Sequence, residues 1–187
     1  MNNKTSSKFV AYYGIVSALM FAFLLVETYG FTAFLGAFTP AILTLPLAIS
    51  VSMCGGKKGC VLGGAIFGCC SFFLAVFIAN PVFINPLVSI LPRLFIGIVA
   101  YFVYILLVKI TKNAKSKFVS ETLPISIGAV LGILTNTVCT IFMMWIFNAS
   151  SLAAVMTVII SFNFLGEIVG AMVLCPVYVK LIKRING

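Results

Sequence analysis

GGKKGCVLGGAIFGCCSFFLAVFIA, residues 55–79, places two lysines in a glycine turn and then runs from Gly59 to Ala79 without a charged side chain. Spanning the hydrocarbon core takes about 20 apolar residues, so this stretch predicts a transmembrane helix that starts at a basic turn. Gly59, Gly63, Gly64 and Gly68 share one face of that helix and lay a smooth strip on which another helix can pack closely.

The same pattern extends in both directions. Lys4 and Lys8, then Lys57 and Lys58, then Lys109, Lys112, Lys115 and Lys117, and finally Lys180, Lys183 and Arg184 form four clusters that leave only Arg93 outside them. Successive clusters are separated by apolar stretches about two spans long, which puts all four on one side of the membrane. By the positive-inside rule that side is the cytoplasm, and both ends of the chain lie there. The expected architecture is all-α: a polytopic bundle of six transmembrane helices, near 9–26, 40–53, 59–79, 92–108, 124–147 and 152–179, forming one domain over residues 1–187. The second helix is short and contains Pro46, which predicts a kink or tilt. The aromatic stretch 27–39, ETYGFTAFLGAFT, is too short to span and is expected to fold over the external face as a loop after the first helix. The first apolar run has a basic flank like a signal peptide, but it exceeds the roughly 7–15 residues of an h-region and is read as a span.

Composition closes off other classes. Of 187 residues, 63% are hydrophobic and 8% charged, against roughly 45–50% apolar and 25% charged in soluble domains. The net charge of +9 is explained by the cytoplasmic clusters, so nucleic-acid binding is not expected. The six cysteines show no CxxC spacing and there is no histidine, so they read as small packing residues, with no metal site and no cofactor. The chain has no GxxxxGK[ST] phosphate loop and only three carboxylates, Glu27, Glu121 and Glu167. That leaves little for ATP hydrolysis or acid/base catalysis, and an enzyme is not expected.

An ionisable group within the membrane costs roughly 2.5–3.5 kcal/mol on insertion scales and calls for a reason. At about 1.5 Å per residue, Arg93 lies roughly 22 Å above Val108 and Glu167 roughly 20 Å above Lys180, so the two share a depth. Arg93 stands at a helix start, where free backbone N–H groups also favour an anion. Three readings follow: contact with a ligand carboxylate, a structural pair with Glu167, or snorkelling to the outer interface. On the fifth helix Gly128, Gly132, Asn136 and Thr140 recur every four residues, and on the sixth Asn163, Glu167 and Gly170 share a face. These ridges either line a polar cavity or simply bond the helices together. On the first helix Gly14 and Ala18 form a small-xxx-small pair, for internal packing or for a partner.

The runs at 55–73 and 85–104, the latter NPLVSILPRLFIGIVAYFVY, resemble the substrate-binding S components of energy-coupling factor vitamin transporters. The resemblance extends over most of the chain. It implies a six-helix membrane protein that binds a water-soluble vitamin near its outer face. Its partners would be a transmembrane coupling subunit and two ATPase subunits, which fits the missing phosphate loop. The family's first helix docks on the coupling subunit through an AxxxA pattern, which here reads Gly14, Ile15, Val16, Ser17, Ala18, with glycine in place of the first alanine. The candidate substrate-binding residues are Arg93, Asn85, Asn136, Asn163, Glu167, Tyr29 and Phe34; the candidate partner-docking residues are Gly14 and Ala18. Pantothenate is the first choice of ligand, because Arg93 suits its single carboxylate. Riboflavin is second, through stacking on Tyr29, Phe31, Phe34 and Phe38. The rival readings are an ion-coupled secondary transporter in which Glu167 carries the proton, and a membrane assembly protein without a ligand.

Overall fold

A computed structural model describes residues 3–31, 41–79, 83–147 and 164–186. Within them the chain is helical: α1 (Asn3–Val26), α2 (Thr44–Cys54), α3 (Gly56–Phe77), α4 (Leu91–Thr111), α5 (Leu123–Ile146) and α6 (Phe164–Asn186). A one-turn helix, Pro86–Ser89, precedes α4. Among the described residues, five segments are long and apolar enough to cross a membrane, whereas α2 has only 11 residues. The protein is therefore a polytopic, all-α membrane bundle.

The short helix is the centre of the bundle. α2 packs against α1, α3, α4, α5 and α6, and its residues from Thr44 to Met53 are all buried. Its Leu45, Ile49 and Val51 are fully enclosed. A helix apolar on every side is stable only when surrounded, and the absence of charge around α2 is the local signature of that position. The helix begins at Thr44 rather than near residue 40, so Pro46 falls in the first turn, where its missing N–H has no intrahelical partner to lose.

The turn from α2 to α3 is tighter than the expected Gly55-Gly56-Lys57-Lys58 turn, because Lys57 and Lys58 already lie in the first turn of α3. Gly56 has φ +65, a conformation that glycine adopts without steric cost. A Cβ on Gly55 would lie 2.6 Å from the Gly59 Cα. The glycine strip on α3 divides between two neighbours. Gly63 abuts α2, where a Cβ would be 2.7 Å from the Ala48 carbonyl oxygen. Gly64 abuts α4, where a Cβ would collide with the Arg93 carbonyl and lie 3.1 Å from the Leu94 Cα. Gly97 returns the contact from α4 onto Cys60 and Ser52.

Several boundaries differ from the sequence reading: α1 begins at Asn3 rather than Phe9, and α3 runs from Gly56 to Phe77 rather than from Gly59 to Ala79. α1 continues through a π-helical turn, Glu27–Phe31, where an aromatic loop was expected to begin; the rest of that expected loop, 32–40, lies outside the described residues. α4 reaches Thr111 rather than Val108. α6 runs to Asn186 rather than Val179, carrying Lys183 and Arg184 in its last turn, where cations complement the helix dipole. The part of the sixth helix expected over 152–163 also lies outside the described residues. All six cysteines are free, with Cys60, Cys70 and Cys175 buried and Cys69 exposed.

Candidate functional site

The site forms at the end of the bundle away from the Lys57–Lys58 turn, where α1 ends and α2 and α4 begin. Its cation is Arg93, only 7% exposed. Asn85 caps the one-turn helix before α4 by accepting a bond from the Leu87 backbone N–H at 3.0 Å. Ser89 donates to the Phe83 carbonyl and closes the preceding turn. Arg93 then reaches back along its own chain. Its Nη1 donates to the Val88 carbonyl at 2.9 Å, while the guanidinium lies 5.8 Å from the Phe67 ring centroid and 5.1 Å from that of Phe83. Both rings offer their π-faces to the cation. Its Nε is buried without a hydrogen-bond partner among the described residues.

The anions gather on the N-terminus of α2. A helix start exposes N–H groups with no intrahelical acceptor and carries a positive dipole end. Two carboxylates answer them. Glu27, 2% exposed, accepts from the Leu43 backbone N–H. It also accepts from the Thr44 backbone N–H at 3.1 Å and from Thr44 Oγ1 at 2.6 Å. Glu167 accepts from the Ala41 backbone N–H at 3.3 Å. α6 approaches this point closely, since a Cβ on Gly170 would be 2.8 Å from Ile42 Cγ2. Glu167 interacts electrostatically with both Glu27 and Arg93, so the three charges act on one another at this end of the bundle.

Of the three sequence readings of Arg93, the structure does not form two. The side chain is buried rather than extended to the surface, and among the described residues no carboxylate stands within ion-pairing distance of it. Glu167 spends its observed hydrogen bond on α2 instead.

The other candidates are dispersed. Asn85 is a helix cap, and Tyr29 is 66% exposed. Asn136 accepts a bond from Thr140 one turn along α5, at 3.5 Å. Below it on the same ridge, Gly128 and Gly132 pack on α4 and α2. Asn163 and Phe34 lie outside the described residues, and so do Phe38 and the face that Asn163 was expected to share with Glu167. Gly14 and Ala18 are exposed on α1, and a Cβ on Gly14 would meet nothing within 4 Å. Internal packing therefore does not account for Gly14. Ala18 borders an open apolar groove of about 450 Å³ between α1 and α3, lined also by Phe21, Ala65, Ile66, Cys69 and Phe73.

Sequence reasoning did not single out Glu27. The signal was present, because a carboxylate that ends an uncharged apolar run faces the same insertion cost as Glu167.

Apolar spans around an enclosed short helix, with buried charges collected at one end, define a multi-pass membrane protein. No protein-family model matches the chain. It is 26% identical over 166 residues, 78% of each chain, to the pantothenic acid transporter PanT of Lactococcus lactis subsp. cremoris. This relative is a transporter, and its similarity agrees with the resemblance carried by the motifs at 55–73 and 85–104.

Proposed function

We propose that this chain is a substrate-binding S component of the energy-coupling factor type and binds pantothenate, with Arg93 receiving the ligand carboxylate. The observation that carries the reading is a buried guanidinium without an anion. Glu27 and Glu167 are both committed to the start of α2, so Arg93 is left with a backbone carbonyl, two aromatic rings and a free Nε. A carboxylate ligand supplies the missing partner through charge-assisted bonds. The relative's substrate, pantothenic acid, has that group. Riboflavin, the second choice, has no carboxylate for Arg93 to bind.

Uptake then depends on a coupling subunit and two ATPase subunits, for which this chain has no phosphate loop of its own. Gly14 and Ala18, exposed on α1 beside an apolar groove, offer the close-approach surface for the coupling subunit. The clustered lysines orient both ends of the chain to the cytoplasm and the Arg93 end outward; a reporter inserted near Ser116 should accordingly read cytoplasmic, and an external signal there would reverse the orientation.

Purified protein should bind pantothenate in preference to riboflavin, yet fail to accumulate it in liposomes under any ion gradient. Accumulation by the chain alone would favour the secondary-transporter reading. When the protein is assembled with the ATPase module, Gly14→Leu or Ala18→Leu should impair uptake and leave binding nearly unchanged. Equal loss of both activities would rule out α1 as the docking helix.

A further inference from the structure

With a carboxylate ligand on Arg93, the cluster would contain three carboxyl groups against one guanidinium and one helix N-terminus. The carboxyl groups of the protein are unequally compensated. Glu27 accepts three hydrogen bonds, two of them to its Oε1 and one to Oε2. Glu167 accepts one, at 3.3 Å and to Oε1 alone, so its second oxygen has no donor among the described residues. Its charged neighbours are Glu27, from the end of α1, and Arg93, from α4. α2 and α5, which also pack on α6, contribute no titratable side chain other than Cys54 and Cys139. A ligand carboxylate on Arg93 takes up the one positive charge that offsets Glu167 and brings a like charge to its side. Carboxylates sharing a buried site do not all remain ionised, and the least compensated one takes a proton.

We propose that binding of the anionic ligand is coupled to uptake of one proton by Glu167, at the oxygen that does not accept from Ala41. The inference rests on the pantothenate reading above. Protonation removes one negative charge from the cluster and leaves Oε1 free to hold the α2 N-terminus. The sign is set by linkage: if the bound state holds one more proton than the free state, affinity is highest at low pH and falls as pH rises. The ligand's own carboxylate titrates near about pH 4 and stays ionised throughout.

The test is calorimetric titration of the full chain with pantothenate, in buffers of different ionisation heat, from about pH 6 to about pH 8.5. Proton uptake should rise toward one per ligand at the alkaline end, where affinity should fall by up to about tenfold per pH unit. Glu167→Gln keeps an acceptor for Ala41; it should abolish the uptake and bind more tightly than the wild type at the alkaline end. Glu27→Gln should retain the uptake. Wild-type binding without proton uptake across the range would overturn the linkage and leave the pantothenate reading intact. Undiminished uptake in Glu167→Gln would overturn the assignment to that residue. No pantothenate binding at any pH would remove the ligand and the linkage together.

Discussion

Arg93→Ala should weaken pantothenate binding about 30-fold or more, equivalent to about 2 kcal/mol, because a charge-assisted bond is lost and the ligand carboxylate is left poorly compensated in a dry site. The guanidinium also fills space between Phe67 and Phe83, so truncation to alanine removes packing as well as charge. Arg93→Met separates the two effects. It keeps an apolar stem between the rings and should melt near the wild-type temperature while still losing the ligand. The double variant Arg93→Met with Glu167→Gln adds a further check. In the structure the two residues are neighbours without a bond, so this variant should bind no better than Arg93→Met alone. Recovery of both stability and binding would instead show that the two residues form a structural pair, and would remove Arg93 from the substrate site.

Glu27→Ala should have the largest effect on stability. Its carboxylate answers the Leu43 and Thr44 backbone N–H groups and the Thr44 hydroxyl, and Thr44 is fully buried. A buried donor left without an acceptor costs about 1–3 kcal/mol, so losing the cap should cost about 3 kcal/mol or more. The damage should also spread, because α2 is the helix on which the other five pack. Glu27→Gln retains one acceptor oxygen and should fall between the wild type and the alanine variant. Thermal unfolding in detergent measures this directly, and an alanine variant as stable as the wild type would exclude the capping role.

How far the sequence could be read depended on the range of the physics involved. Insertion cost belongs to each residue and its immediate neighbours, so Arg93 and Glu167 stood out without knowledge of any contact. The glycines at 59–68 were legible as close-packing positions for the same reason, but 3.6-residue periodicity pairs Gly59 with Gly63 and Gly64 with Gly68 on two sides of α3 rather than on one face. Their partners were not legible. That Gly64 meets the backbone of Arg93, while Gly63 meets Ala48, depends on how α3 is rotated between α2 and α4. The pairing of charges was hidden in the same way. Equal depth made Arg93 and Glu167 natural partners, yet Glu167 turns to Ala41 because the unsatisfied N–H groups at the start of α2 lie beside it.

Glu27 shows where the boundary lies. Its position after an apolar run reads equally well as the first residue of an external loop and as a buried cap, because the local sequence is the same in both cases. Only the arrival of Leu43 and Thr44 beneath it decides between them. By itself, the sequence determined the membrane class, the five long apolar segments, the basic clusters and two of the three buried charges, Arg93 and Glu167, all of which follow from composition and short-range periodicity. Tertiary structure alone decided that α2 is the enclosed centre, that two carboxylates cap it, and that Arg93 is left without an anion, because which donor meets which acceptor is set by helix rotations that packing determines across long stretches of chain.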